Sequence, residues 1–200
     1  DEHPETKAPT LNNAGISLAG FQEQLEEEEL RRLFDVNVFG AWALTKRCLP
    51  SMRERGDGVV INVTSMAGRQ ALPALGGYAG SKFALEGMTE ALRHELRPFG
   101  VRVVLVEPGP YETDIFGRNA RRAQATEAGG GPYAPYQRRM EELVEKTAAS
   151  RGDPQEVADL CVELLTEPRP RLRYPLGPNV PARVWARRLL PFEVVERLLA

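Results

Sequence analysis

The sequence predicts an α/β fold built on a parallel sheet. Three observations carry that prediction. Two aliphatic runs, Val59–Val63 and Val101–Val106, have the β-branched, non-alternating character of strands covered on both faces. Helical periodicity fills the intervals: Leu25, Leu30, Leu33, Phe34, Val38, Trp42 and Leu49 recur at three, four and seven over about 23–54, and 77–97 is a second such stretch. Strands alternating with helices in this way join in parallel through right-handed crossovers.

The remaining elements follow in order. Residues 1–10 are polar and Pro-punctuated, and Thr10-Leu11 ends a short strand running into Asn12-Asn13-Ala14-Gly15. Gly56-Asp57-Gly58 stops the first helical stretch, and Pro98 with Gly100 closes the second. Residues 110–136 are rich in Gly, Pro, Arg and Ala and carry little periodicity; a helix is expected at about 137–149. Asp153-Pro154-Gln155-Glu156 is a helix start, with Asp at the cap and Pro at the first helical position, and the helix runs to about Thr166. Arg171–Pro175 is a candidate last strand, and two short amphipathic helices split by Pro191 form the tail from 181.

Composition narrows the class. A chain of 200 residues with 42% hydrophobic residues can bury the core of one domain, taken as 1–200. A net charge of −2 gives no reason to expect nucleic acid or a membrane surface as partner. No apolar run approaches the ~18 residues of a membrane span. The acidic start, Asp1-Glu2-His3-Pro4-Glu5, lacks a signal peptide's apolar centre, so a cytoplasmic protein is expected. Cys48 and Cys161 stand far apart without metal-type spacing, which suits a reducing compartment and predicts no metal.

Five sites carry potential chemistry. Tyr78 and Lys82, four apart on a helix, project from one face. A phenol with a pKa near 10 is a poor acid or base at neutral pH, and a nearby ammonium favours the phenolate. Ser65 follows the buried strand 59–63, where ligands gather in open α/β sheets. Asn37 is an amide among apolar residues, Asn13-Ala14-Gly15 lets backbone approach a flat ligand, and Pro108-Gly109 leads through a turn to Thr113. Alone, each has a plain alternative: a chance pair, a Ser/Thr turn, a satisfied core amide, an ordinary turn, a strand stop.

Their order is more specific. Asn-Asn-Ala-Gly, an asparagine about two dozen residues on, a serine, Tyr-x-x-x-Lys thirteen residues later and Pro-Gly past a Val-rich strand closely resemble the short-chain dehydrogenase/reductase family over roughly residues 11–166. The resemblance implies a Rossmann-like three-layer fold and a nicotinamide-dependent oxidoreductase interconverting an alcohol with a ketone or aldehyde, using NAD or NADP. It implies Tyr78 as acid/base and as a cofactor contact, Lys82 as the group that lowers its pKa and binds the nicotinamide ribose, and Ser65 as the residue that polarises the substrate carbonyl. Asn37 would hold a water in a proton relay toward Lys82. Asn13, Ala14 and Gly15 would lie beside the adenosine half of the cofactor, and Pro108, Gly109 and Thr113 at its nicotinamide end. Gly109–Phe116 and Arg173–Gly177 look like the branch of retinol and hydroxysteroid dehydrogenases, which implies an apolar alcohol or carbonyl substrate, with residues 110–150 as its lid. The resemblance further implies a homodimer through the two long helical stretches, with Trp42, Leu49, Phe83 and Met88 as candidate contacts that serve equally well as core residues.

One part of the family pattern has no counterpart. The Gly-rich strand–turn–helix that holds the cofactor pyrophosphate is not matched; Gly129-Gly130-Gly131 follows no strand. The expectation from sequence is a partial fold lacking that N-terminal element, weak dinucleotide binding by these 200 residues alone, and, as the alternative function, a catalytically silent fragment or interaction module that keeps the core of the fold.

Overall fold

A computed structural model of the protein describes residues 9–127, 131–148, 151–178, 180–182 and 189–199. Four strands form one parallel sheet in the order β1 (Thr10–Asn12), β3 (Gly58–Val63), β4 (Val101–Pro108), β6 (Arg173–Leu176). The register pairs Asn12 with Asn62, Ile61 with Val104 and Val106 with Tyr174. A second, two-stranded parallel sheet joins β2 (Ser17–Ala19) to β5 (Ala120–Arg122).

The strand alternation divides the core into two layers. Val60, Val101 and Val103 face Met52 and Leu96, so they pack under α2 (Ala41–Arg55) and α3 (Gly76–Leu96). Val59, Ile61, Val63, Val104 and Val106 face Cys161 and Leu164 of α6 (Gln155–Thr166). Helices on both faces of a parallel sheet make the three-layer α/β architecture that the sequence predicts. β1 is the edge strand, and its Leu11 is exposed.

The helix boundaries have local causes. α1 (Glu27–Phe34) opens with a capping box in which the Glu26 N–H donates to Glu29, and it carries acids in its first turn and Arg31-Arg32 in its last. A π-helical turn over Asp35–Gly40 then links α1 to α2, so the long helical stretch is continuous but locally widened. α2 ends at Gly56 with φ +63, and α3 ends through a short turn at Gly100 with φ +69. A Cβ at Gly100 would stand 2.4 Å from the Gly56 carbonyl oxygen, so the two helix exits are packed backbone to backbone. α6 starts one residue later than the sequence suggests, with Pro154 at the cap, and the Asp153 carboxylate ahead of it accepts the Gln155 N–H at 2.9 Å.

The stretch that sequence left without periodicity contains β5, α4 (Gln124–Glu127) and the start of α5 (Ala134–Ala148). β5 is held against β2, Thr126 donates to Gln24 at 2.7 Å, and Tyr133 donates to Glu23 at 2.8 Å while stacking on Phe21. In the tail, α7 (Phe192–Leu199) follows Pro191 as expected. The helix expected before it and the Gly129-Gly130 part of the glycine run lie largely outside the described residues.

Candidate active site

Because all four strands of the main sheet run parallel, their carboxyl ends open on one edge. That edge collects the segments singled out from sequence: Asn13-Ala14-Gly15 after β1, Thr64-Ser65 after β3 and Pro108-Gly109 after β4. α3 starts beside the same edge and presents Tyr78 and Lys82 to it.

The Lys82 ammonium is the buried centre. Only 4% exposed, it donates to the Val63 carbonyl oxygen at 3.2 Å and lies 5.9 Å from the Tyr78 ring centre. Burial lowers its pKa to about 8 and the negative field of Glu86 opposes that shift. Burial raises the Tyr78 phenol, whereas a hydrogen bond from Ser65 favours the phenolate. The Ser65 hydroxyl also accepts the Ala67 N–H at 3.1 Å, which fixes it in the turn after β3. Ser65, Tyr78 and Lys82 thus form one contiguous group.

Asn37 and Gly15 complete the floor. Asn37 is 1% exposed, and its amide nitrogen donates to the Ile16 carbonyl at 2.9 Å and to the Ser81 hydroxyl at 3.0 Å. Its oxygen accepts the Ile16 N–H at 2.9 Å. Both side-chain donors are therefore committed to protein, and the amide clamps the chain after β1 against α3. A Cβ at Gly15 would sit 3.5 Å from the Asn37 oxygen and 3.6 Å from Lys82 Nζ, so glycine keeps the space in front of the ammonium open.

Asn13 and Ala14 are exposed at the strand end, as is Thr113; Pro108 and Gly109 are half-buried. The turn after β4 is anchored firmly. Gly109 N–H donates to Leu176 at 2.8 Å, and Tyr111 is buried against Gly152 and Gly177 with its hydroxyl on Glu156 at 2.7 Å.

Sequence reasoning missed several residues here. Ser81 holds Asn37 and itself donates to the Tyr78 carbonyl at 2.7 Å. Asn12, next to the residue singled out, donates to Asn62 and Thr45, and Asn62 donates to Thr89, a buried polar chain that pins β1 and β3 to α2 and α3. Ser81 was detectable as the serine immediately before the lysine; the Asn12–Asn62 pair depends on register and has no signature in one sequence.

The space before Lys82 fits the nicotinamide ribose of a dinucleotide. A buried ammonium has donors beyond its bond to Val63, and a side chain at Gly15 would obstruct it. Among the described residues no strand leads through a Gly-rich turn into a helix, so the described fit concerns that end of the cofactor. No group of three or more metal-ligating side chains occurs among the described residues.

Comparison with known proteins agrees with this geometry. The family model for short chain dehydrogenase matches residues 10–124. An uncharacterized oxidoreductase, YusZ of Bacillus subtilis, is 40% identical over 190 residues, covering 94% of this chain and 68% of its own length. Retinol dehydrogenase 8 of Bos taurus is 36% identical over 173 residues, covering 82% of this chain and 54% of its own. The crystal structure of a short-chain dehydrogenase from Streptomyces avermitilis superposes with a TM-score of 0.78 at 34% identity, over 94% of this chain and 66% of that one. The chain therefore belongs to the short-chain dehydrogenase family, and solved structures that share its fold include a complex with NADP and one with NADH. It is an oxidoreductase-family α/β domain, and it spans about two thirds of the length of YusZ and of the Streptomyces avermitilis enzyme. These relatives lend no support to the interaction-module reading.

Proposed function

We propose that this chain provides the catalytic part of an NAD- or NADP-dependent dehydrogenase that interconverts an apolar alcohol and its ketone or aldehyde. The observation that carries the reading is the contact of Ser65 with Tyr78 beside a buried, charged Lys82 at the carboxyl edge of a parallel sheet.

The nicotinamide dinucleotide, when bound, supplies or accepts the hydride. The chain's own residues handle the proton. Ser65 and Tyr78 orient the substrate oxygen by hydrogen bonds. Tyr78 donates its proton to that oxygen in reduction and removes it in oxidation. Lys82, positively charged below about pH 8, offsets the burial that otherwise disfavours the phenolate. Asn37 holds the 15–16 backbone so that Gly15 leaves room before the ammonium, and its oxygen keeps one lone pair for a water. Asn13, Ala14, Pro108, Gly109 and Thr113 are the proposed cofactor contacts. The resemblance to retinol dehydrogenase 8 supports an apolar substrate. Residues 110–150 serve as its lid, tied to the chain after β1 through β5, Thr126 and Tyr133.

Purified protein assayed with NADH and NADPH against a panel of aliphatic, aromatic and polyhydroxylated carbonyl compounds tests the reading. Reduction of the apolar members is expected. Turnover restricted to the polyhydroxylated ones would overturn the substrate class, and no hydride transfer to any member would overturn the activity.

A homodimer is part of the same proposal. Trp42, Phe83 and Met88 remain 47%, 46% and 39% exposed on α2 and α3, with Phe39 exposed beside them. Leu49, the fourth contact expected from sequence, instead packs into the core with Met52 and Leu96. Trp42→Glu should convert a dimer to a monomer in light scattering at micromolar concentration, because a buried unpaired carboxylate is costly; a wild-type monomer would refute it. The free Cys48 and Cys161 suit a reducing compartment, which supports the cytoplasm as the location. No helix among the described residues is long and apolar enough to cross a membrane.

A further inference from the structure

Directly behind the proposed catalytic group lies a buried pair of acids that the mechanism above does not use. Glu86, one helical turn after Lys82 on α3, is 4% exposed, and Glu107, near the end of β4, is 1% exposed. Both face the guanidinium of Arg173 from β6. Arg173 Nη1 lies 3.0 Å from Glu86, Nη2 lies 2.6 Å from Glu90, and Nε lies 3.7 Å from Glu107. Arg69, after the Ser65 turn, adds a second positive charge that acts on both acids, and Lys82 acts on Glu86 from its own helix.

The donors at this cluster do not reach every buried acid oxygen. The Thr64 hydroxyl lies 2.5 Å from Glu86 Oε1 and 3.2 Å from the Val106 carbonyl oxygen. It has one hydrogen, and a carbonyl can only accept. That hydrogen goes to Glu86, because the Val106 carbonyl already accepts the Thr64 N–H at 2.8 Å. Neither carboxyl oxygen of Glu107 receives a hydrogen bond, and neither does Glu86 Oε2, so three buried acid oxygens gather on the one guanidinium of Arg173 without a hydrogen of their own. A proton placed between two such carboxyls supplies the missing hydrogen, and like charges buried together resist ionising at the same pH.

We propose that Glu86 and Glu107 share a single proton at neutral pH and act as a positioning pair, setting the Thr64-Ser65 turn through the Thr64 hydroxyl and the field at Lys82 through the charge one turn away. Losing the shared proton leaves Glu86 a full carboxylate under the Thr64 hydroxyl, which tightens that contact, and places a second negative charge beneath the lysine. Burial and the charge of Glu107 lift the Glu86 carboxyl to about 7, so this change falls in the working range of an enzyme. The catalytic half of the proposal rests on the function proposed above; the proton-sharing half does not.

The test follows glutamate carboxyl carbons by NMR titration of the full chain, alongside the pH profile of kcat/KM. Wild type is expected to show one glutamate titrating near pH 7. That inflection should vanish in Glu86→Gln and also in Glu107→Gln, where the remaining acid falls by about 1–3 pH units toward the ordinary range once the like charge is gone. The kcat/KM profile should lose the same inflection in both variants, whereas a merely structural role would lower rate at every pH and leave the profile's shape. Glutamates that all titrate below about pH 5.5 in wild type, or a neutral inflection that survives Glu107→Gln, would overturn proton sharing. A shared proton seen by NMR with no matching inflection in kcat/KM would overturn the positioning role alone. Absence of any turnover would count against the dehydrogenase reading and leave the NMR result to decide the first half.

Discussion

Tyr78→Phe is expected to lower kcat by about 10²–10⁴-fold, the range contributed by a positioned acid/base group, with little change in melting temperature. The substitution removes one oxygen at a half-buried position. That oxygen is the group whose proton the geometry makes mobile: Ser65 hydrogen-bonds to it and the Lys82 ammonium lies beside its ring. The ring itself stays, so packing at the start of α3 is preserved. Cofactor affinity, measured by fluorescence titration of NADPH, should change little, because the ribose contact proposed for Lys82 is left in place. Steady-state rates within about tenfold of wild type, an amount a bystander hydroxyl could account for, would remove Tyr78 from its role.

Arg173→Leu is expected to destabilise the fold by about 3 kcal/mol at pH 8, since it strands two buried carboxylates without their guanidinium. The effect should shrink toward pH 5. An acid whose folded pKa is raised, as Glu86's is from 4.5 to about 7, stabilises the fold fully below its unfolded pKa. That contribution disappears as pH climbs through the folded value. Removing Arg173 pushes both acids higher still, so the loss widens above neutrality while the protonated forms at low pH feel little. Urea midpoints at the two pH values measure the difference; equal destabilisation at both would show that Arg173 acts by packing rather than by charge.

The parts of this molecule legible in its sequence are those written in local pattern. Val59–Val63 and Val101–Val106 read as doubly covered strands because both neighbours along the chain and both faces are apolar, and the structure buries them between α2/α3 and α6. Tyr78 and Lys82 read as a pair because helical spacing alone brings them to one face. The π turn at 35–40 was hidden, since its residues keep the apolar spacing of an ordinary helix and differ only in one extra backbone position. β2 and β5 were hidden for another reason: three residues each, they have no period, and their pairing partner lies about a hundred residues away. The Glu86–Glu107–Arg173 cluster draws on α3, β4 and β6, so neither spacing nor composition marks it. Leu49 stayed open between core and partner in the sequence, because an apolar residue at a helix surface position reads alike in both, and the structure packs it on the core.

The link between β2 and β5 also dictates an order of assembly. Ser17 pairs with Ala120 and Ala19 with Arg122, and Phe21 stacks on Tyr133. Closing so long a loop costs entropy that no local contact repays, so such pairings form late and slow folding. The sheet core, from Gly58 to Val106, closes its loops over shorter separations and can form first. The segment proposed to cover the substrate would then dock onto a floor that is already built. For the same reason it is the segment whose release costs the core least, and hydrogen exchange at Ala120–Arg122 should run well ahead of exchange in β3 and β4.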